Sequence, residues 1–524
     1  MRPPRAAWIE RTLGIVAALA VVATLAAPGI TIDEPLDVRP GRTYLATLAE
    51  RGIDFFRPEV VDRVFADNAE HPPLGRWLLG IASKLGETVE IVLAGGPDPT
   101  GVYVRSGRLA PAVCFGLLIF TIVRETRRRK GETAAWAAGL AALAMPRLFA
   151  HAHLGALDLL ITCFWVRAWF AADAAFASPR PGRAFAGAGL AFGLALLTKI
   201  HAWLLPPLIA ARWVLVDRRR STFVGIVLWG LVGAIVFVAG WPWLWTDPVG
   251  RLARFLGTGV DRAVIRVFYF GTVYEDRAVP WHYPWVHFAI VVPLGLQLLG
   301  LGGVVVAWNQ RRSDPTDFRI LAAIAYLLAI FSTSVAVYDG ERLFLPVFPL
   351  WAVIIGSGFA DMRARLVERR TLRRGLDLFL AAQFLGLVSV FPYGLSYYDL
   401  SVGGLAGAEA LGLETSYWTE PVDGALLDRL AAVAPANATV ALAPTLAPQQ
   451  GKYSTTRALL ARGLVIEDQE AVPQSEFVII HRRRGYLSPE LERLAREGEV
   501  IHESTRQGVW LTRLVRRPKS GSSP

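Results

Sequence analysis

Long apolar stretches, separated by short polar ones, occupy the first 395 residues of the chain. They lie near 11–30, 103–123, 132–150, 153–174, 184–200, 202–216, 222–243, 284–307, 319–337, 343–360 and 375–395. Each is about the length a helix needs to cross a hydrocarbon core of about 30 Å. The pattern predicts a polytopic membrane protein with about eleven transmembrane helices. After residue 396 the period changes. "VDGALLDRLAAVAP" reads as helix, "ATVALAP" as strand, "YSTTRALLARG" as helix, "SEFVIIH" as strand and "SPELERLAREG" as a capped helix. "EVIHESTRQGVWLTRLV" reads as a closing hairpin. The expected organisation is a transmembrane region over 1–395, a small α/β domain over 396–518, taken as accessory for want of a glycine-rich phosphate loop, and a disordered end at 519–524.

The polar stretches alternate in charge. "RETRRRK" (124–130), "SPRPGR" (178–183), "DRRR" (217–220), "NQRRSD" (309–314) and "DMRARLVERRTLRRG" (361–375) fall in every second loop. The positive-inside rule assigns these to the cytoplasm, with the N-terminus inside and the C-terminal domain outside the cell membrane. A cleaved signal peptide is the competing reading of residues 1–27. The outward loop 31–102 carries two amphipathic segments suited to lying in the membrane interface. In "HPPLGRWLLGIASKLG" (71–86), Leu74, Trp77, Leu78, Ile81 and Leu85 recur at helical spacing after Pro72 and Pro73, and Arg76 and Lys84 point elsewhere. "GRTYLATLAERG" (41–52) is the second.

Composition agrees with this setting. Of 524 residues 53% are hydrophobic and 19% charged, outside the range of soluble globular chains. The net charge of +11 belongs to the inward loops and calls for membrane lipids, not nucleic acid, as neighbours. Cys114 and Cys163 both fall inside apolar runs and read as packing residues.

The ionisable residues outside those basic loops gather at the outward ends of the spans. Asp33 and Glu34 follow the first span. His71 and Arg76 lie in the first outward loop; His151, His153 and Asp158 flank the next outward turn. Lys199 and His201 end a span, His282 closes the third outward loop with His287 just beyond, and Asp339, Glu341 and Arg342 form the last outward turn. Charge at a membrane boundary suggests function, although Lys and Arg also snorkel to the interface and Arg342 also has structural partners in reach. Carboxylates and cations together at that depth suit a lipid-linked phosphate carrying a reactive group. The cations hold the phosphate and stabilise it as a leaving group, and Asp33 or Glu34 takes a proton from the nucleophile. No cofactor is expected. A divalent metal on the histidines is conceivable, but His-x-His sets two rings apart on a helix and no cysteine or paired carboxylate joins them.

"TIDE" beyond the first span, "HPPL" at 71–74, "HAHLGALD" at 151–158, "TKIHAW" at 198–203 and "GERLFLPVFPLWA" at 340–352 resemble motifs of the integral-membrane GT-C glycosyltransferases. The nearest branch contains the protein O-mannosyltransferases and the lipid A aminoarabinose transferase. The resemblance covers roughly residues 10–395. It implies a GT-C-like fold and inverting transfer of a sugar from a polyprenyl-phosphate donor to an acceptor hydroxyl on the extracytoplasmic face. It matches Asp33 to the acidic residue proposed as base, Asp158 to a second acidic position, and Lys199 and Arg342 to cationic positions for the donor phosphate. The acceptor stays open, because the tail has no match to the sugar-binding domains of the protein mannosyltransferases. The alternative function is a polytopic transporter or flippase of a lipid-linked or envelope component, which should place its ionisable residues near mid-membrane and show an internal repeat.

Overall fold

The computed structural model describes residues 6–66, 71–258 and 263–517; the expected disordered end at 519–524 lies outside the described residues. Helices occupy all eleven apolar positions. Among the described residues five are long and apolar enough to cross a membrane: Val104–Lys130, Leu157–Phe176, Ile200–Asp217, Arg220–Gly240 and Val347–Arg365. The helices Tyr283–Ile290 and Leu294–Gln310 make a sixth if counted as one span, bent by 114°. The other helices are shorter, such as Glu132–Leu143 and Thr316–Ile330. The multi-pass membrane reading therefore holds, and the count of eleven spans stays an expectation. Arg220–Gly240 turns Val224, Leu231 and Ile235 outward, as a lipid-facing helix does.

The helices carry two different sets of charges at their two ends. At one end Asp173 binds Arg129 at 3.3 Å, Arg319 at 3.0 Å, and Arg212. Nearby Lys130 meets Asp314 at 2.8 Å and Asp317 at 3.1 Å. Of these, Arg129, Lys130 and Asp314 belong to the basic loops 124–130 and 309–314, and the others stand on the adjoining helices. At the other end of the same helix stands Asp158, fifteen residues earlier in Leu157–Phe176 and so about 22 Å away at 1.5 Å per residue.

Two helices, Asp33–Arg51 and Leu74–Leu93, lie beyond that second end. Asp33 and Glu34 stand in the first turn of one, where carboxylates favour the positive end of the helix dipole. The two helices touch backbone to backbone: a Cβ on Gly41 would stand 2.0 Å from the Arg76 carbonyl oxygen, and one on Gly80 2.3 Å from Gly41. Only glycine permits that approach. In Leu74–Leu93 the apolar stripe divides between protein and surface. Gly75, Arg76, Gly80 and Ser83 are buried beside Leu79; Leu74, Trp77 and Leu78 pack partly buried against the core, and Ile81 and Leu85 are exposed, the disposition that suits a helix lying in the membrane interface.

The strands, the closing hairpin and the two capped helices of the C-terminal region form where its periodicity predicts, whereas "YSTTRALLARG" breaks into two short turns, Gln450–Ser454 and Arg457–Leu460. Its five-stranded sheet has the order β4-β3-β5-β7-β6, with β3 Val440–Ala443, β4 Ile466–Glu467, β5 Phe477–His481, β6 Glu499–Arg506 and β7 Val509–Arg516; β1 Arg266–Tyr269 and β2 Thr272–Glu275 form a separate hairpin in the third outward loop. Strands β3, β4 and β5 are parallel, and β6 and β7 form the antiparallel closing hairpin. Helices Gly424–Val433 and Pro489–Glu497 begin with Asp423 and Ser488 as side-chain caps. The segment 415–420 and Arg483, which follows β5, reach into the charged end of the helices.

Candidate active site

The adjacent carboxylates Asp33 and Glu34 have different surroundings. Glu34 is fully buried. Its Oε1 accepts from Arg108 Nε at 2.7 Å and Gly155 N at 2.7 Å. Its Oε2 accepts from Arg108 Nη2 at 2.8 Å, Thr31 N at 2.8 Å and Thr31 Oγ1 at 3.2 Å. Arg108 in turn donates to the carbonyls of Leu25, Pro28 and Gly29. With every acceptor position filled, Glu34 fastens the exit from the first helix to the next outward turn. Of the two carboxylates expected as candidate bases, Glu34 is thus fully engaged with structural partners, and Asp33 is the one that stays partly exposed.

Asp33 pairs with Arg342 Nη2 and keeps 24% of its side chain exposed. Asp158, at 1% exposure, accepts from Lys199 Nζ at 2.6 Å and faces Arg342 Nη2 at 3.3 Å. Lys199 and Arg342 therefore meet through one carboxylate, although they stand on different segments. Arg342 Nη1 binds Asp339 Oδ2 at 3.1 Å, its guanidinium lies over the Trp418 ring at 4.7 Å, and its buried Nε makes no hydrogen bond among the described residues. Of the carboxylates in this group Asp33 keeps the most exposure.

Next to this cluster Arg76 Nε pairs with Asp37 at 3.2 Å. Burial, partly offset by Arg76 and reinforced by Asp33, pushes the Asp37 carboxyl up to about 6. His71 senses Arg76, Lys199 and Arg342; burial first, then those cations, holds its imidazole well below its usual value and so neutral.

A further set of polar residues centres on Glu341. Arg147 Nη1 donates to it at 2.8 Å, His287 Nε2 lies at 3.0 Å, His151 Nε2 at 3.2 Å and Tyr417 Oη at 3.3 Å. Against the upward push of burial, Arg147 and the two histidines hold Glu341 well below the usual carboxylate range. Other histidines take structural positions. His153 bridges the Phe149 carbonyl at 2.9 Å and Thr24 Oγ1 at 2.8 Å. His282 meets Tyr269 Oη at 3.0 Å in the third outward loop, apart from the carboxylate cluster. His201 is buried against Phe331.

Sequence reasoning brings Asp33, Asp158, Lys199 and Arg342 together correctly in space. It misses Arg108, Arg147, Asp37, Trp418 and Arg483. A signal existed for the first two: each is an arginine at the outward edge of an apolar run.

Known proteins place this architecture. A family model described as dolichyl-phosphate-mannose-protein mannosyltransferase matches residues 70–245. Two undecaprenyl phosphate-alpha-4-amino-4-deoxy-L-arabinose arabinosyl transferases of Pseudomonas fluorescens are similar, one 30% identical over 63% of this chain and 56% of its own length, the other 28% over 58% and 49%. The chain thus spans about half the length of the curated relatives it matches. Two crystal structures of ArnT from Cupriavidus metallidurans, in the apo state and bound to undecaprenyl phosphate, align over 99% of both chains. Their TM-scores are 0.54 and 0.53, at 17% and 18% identity. The chain has the fold of these ArnT structures, a glycosyltransferase fold of the GT-C class. The carboxylate cluster lies where one end of the helical region meets the helices Asp33–Arg51 and Leu74–Leu93 and the C-terminal domain.

Proposed function

We propose that the chain is an inverting glycosyltransferase that moves a sugar from a polyprenyl-phosphate donor to an acceptor hydroxyl on the extracytoplasmic face of the cell membrane. The observation that carries this reading is the pairing of one partly exposed carboxylate, Asp33, with Arg342, which also meets Asp158 and through it Lys199. The names of the curated relatives and the undecaprenyl phosphate bound by ArnT support the donor class.

In this mechanism Asp33 accepts the proton of the acceptor hydroxyl as its oxygen attacks the anomeric carbon. Attack from the face opposite the phosphate inverts that carbon while its bond to the phosphate oxygen breaks. The leaving phosphate gains negative charge, which Lys199 and Arg342 meet with charge-assisted hydrogen bonds. Asp158 keeps both cations in place before the donor arrives.

The transporter or flippase reading competes. The charged groups stand at one end of the helices and not halfway along them, which favours the transferase. Transfer of radiolabel from a polyprenyl-phosphate sugar, measured beside uptake into proteoliposomes, separates the two. Label moving into an acceptor supports the transferase; label crossing the bilayer still attached to its carrier supports the alternative. Mass spectrometry of envelope glycans with and without the gene identifies sugar and acceptor.

A further inference from the structure

Asp339 occupies an unusual place. Its backbone is left-handed, with φ +55, and Gly340 follows at φ +69. That turn folds the Asp339 carboxylate back over Arg342, and three groups besides the turn hold it there. Arg342 Nη1 binds Oδ2 at 3.1 Å, Trp418 Nε1 donates to the same oxygen at 3.3 Å, and Arg483 Nη2 binds Oδ1 at 2.7 Å. The other prong of Arg483, Nη1, donates to the Tyr417 carbonyl at 2.6 Å. One guanidinium from the C-terminal domain thus fixes both the Asp339 carboxylate and the strip of chain that carries Trp418, whose ring lies under Arg342. Arg483 is itself buried and lies over the Tyr486 ring at 5.0 Å.

We infer that the C-terminal domain completes the reaction centre: Arg483 is a positioning residue that, through Asp339 and Trp418, fixes the aim of Arg342 toward the donor phosphate. The inference rests on the polyprenyl-phosphate reading above. Its physical basis is the fork. With Nη1 gripped by Asp339, the Nη2 of Arg342 is directed at Asp33 and Asp158. Freed of that grip, a long side chain regains rotamers, and each charged hydrogen bond it offers becomes less well placed. The domain's role is then geometric, since Arg483 makes its bonds to Asp339 and the Tyr417 carbonyl and acts on Asp33 and Asp158 only through Arg342.

The test is a double-mutant cycle read by binding of undecaprenyl phosphate to the purified full chain, with thermal unfolding recorded for every variant. Arg342→Gln should weaken binding by roughly 10- to 100-fold, as loss of a charged hydrogen bond does. Arg483→Gln should weaken it about tenfold, and the double variant should bind no worse than Arg342→Gln alone, because Arg483 acts only through Arg342. Arg483→Lys keeps the charge but cannot span both partners. It should fall between wild type and Arg483→Gln, and it decides the matter if Arg483→Gln fails to fold. Losses that multiply, or wild-type binding in a folded Arg483 variant, overturn the inference while leaving the functional reading intact. A wild-type chain that binds no undecaprenyl phosphate overturns the functional reading itself.

Discussion

Glu34→Gln is the substitution that separates structural from chemical carboxylates in this molecule. Glutamine has the shape of glutamate, but one of its two terminal atoms is an amide nitrogen that cannot accept. With the nitrogen at the Oε1 position, Arg108 Nε and Gly155 N lose their acceptor; at the Oε2 position, Arg108 Nη2 and both Thr31 donors lose theirs. Either way at least two buried donors are orphaned and Arg108 loses its counter-charge. Breaking a buried ion pair from one side costs about 3–5 kcal/mol. The three carbonyls that also solvate Arg108 put the expected loss near the lower end, about 3 kcal/mol, which is a large share of the roughly 5–15 kcal/mol of a typical domain. Unfolding in detergent, followed by thermal or denaturant titration, reads the loss directly. Transfer per folded molecule should be almost unchanged at a temperature where the variant is folded. A Glu34→Gln protein as stable as wild type but without turnover would refute the reasoning and return Glu34 to the chemistry.

Three other outcomes follow from the geometry. Arg342→Gln should be nearly inactive and Arg342→Lys partly active, since lysine keeps charge and loses the fork; combined with Lys199→Met, the losses should be less than additive, because both cations serve one phosphate. Fully additive losses would mean that the two act on different groups. Asp37 titrates near 6 in the fold against an ordinary 3.8, so its buried anion is disfavoured. The stability it contributes is full below the ordinary value and is lost as pH rises through about 6. Acidifying from pH 7 to pH 5 should therefore favour the wild-type fold over Asp37→Asn by about 1.3 kcal/mol, a little under half of what the full shift contributes, and equal pH dependence of the two proteins would contradict the assignment. A reporter active only outside the cytoplasm should work when fused after residue 400 and stay silent after Arg129; the opposite pattern would place the cluster on the wrong side of the membrane.

Local patterns were legible in the sequence; long-range partners were not. The strands and capped helices of the C-terminal domain follow from periods of two and 3.6 residues, each visible within a dozen positions. That Asp33, Asp158, Lys199 and Arg342 share one end of the helices follows from counting spans and basic loops. What separates Asp33 from its neighbour is invisible at that range, because Arg108 lies 74 residues from Glu34 and Gly155 lies 121 residues away. Arg483 is farther still, 144 residues from Asp339, so a tail without a phosphate loop reads as accessory. The helix 74–93 shows a different limit. Its apolar stripe was visible, but whether that stripe faces protein or membrane depends on the glycine contact with a helix some forty residues earlier.

The most direct test of the central claim is transfer of labelled sugar from a polyprenyl-phosphate donor by purified Asp33→Asn protein reconstituted beside wild type. Asparagine keeps the size of aspartate and cannot take the proton. The wild-type chain should transfer label with inversion at the anomeric carbon. The variant should remain folded, still bind undecaprenyl phosphate, and turn over roughly 10²–10⁴-fold more slowly. Near-normal turnover by a folded Asp33→Asn protein would contradict the assignment of Asp33 as the base.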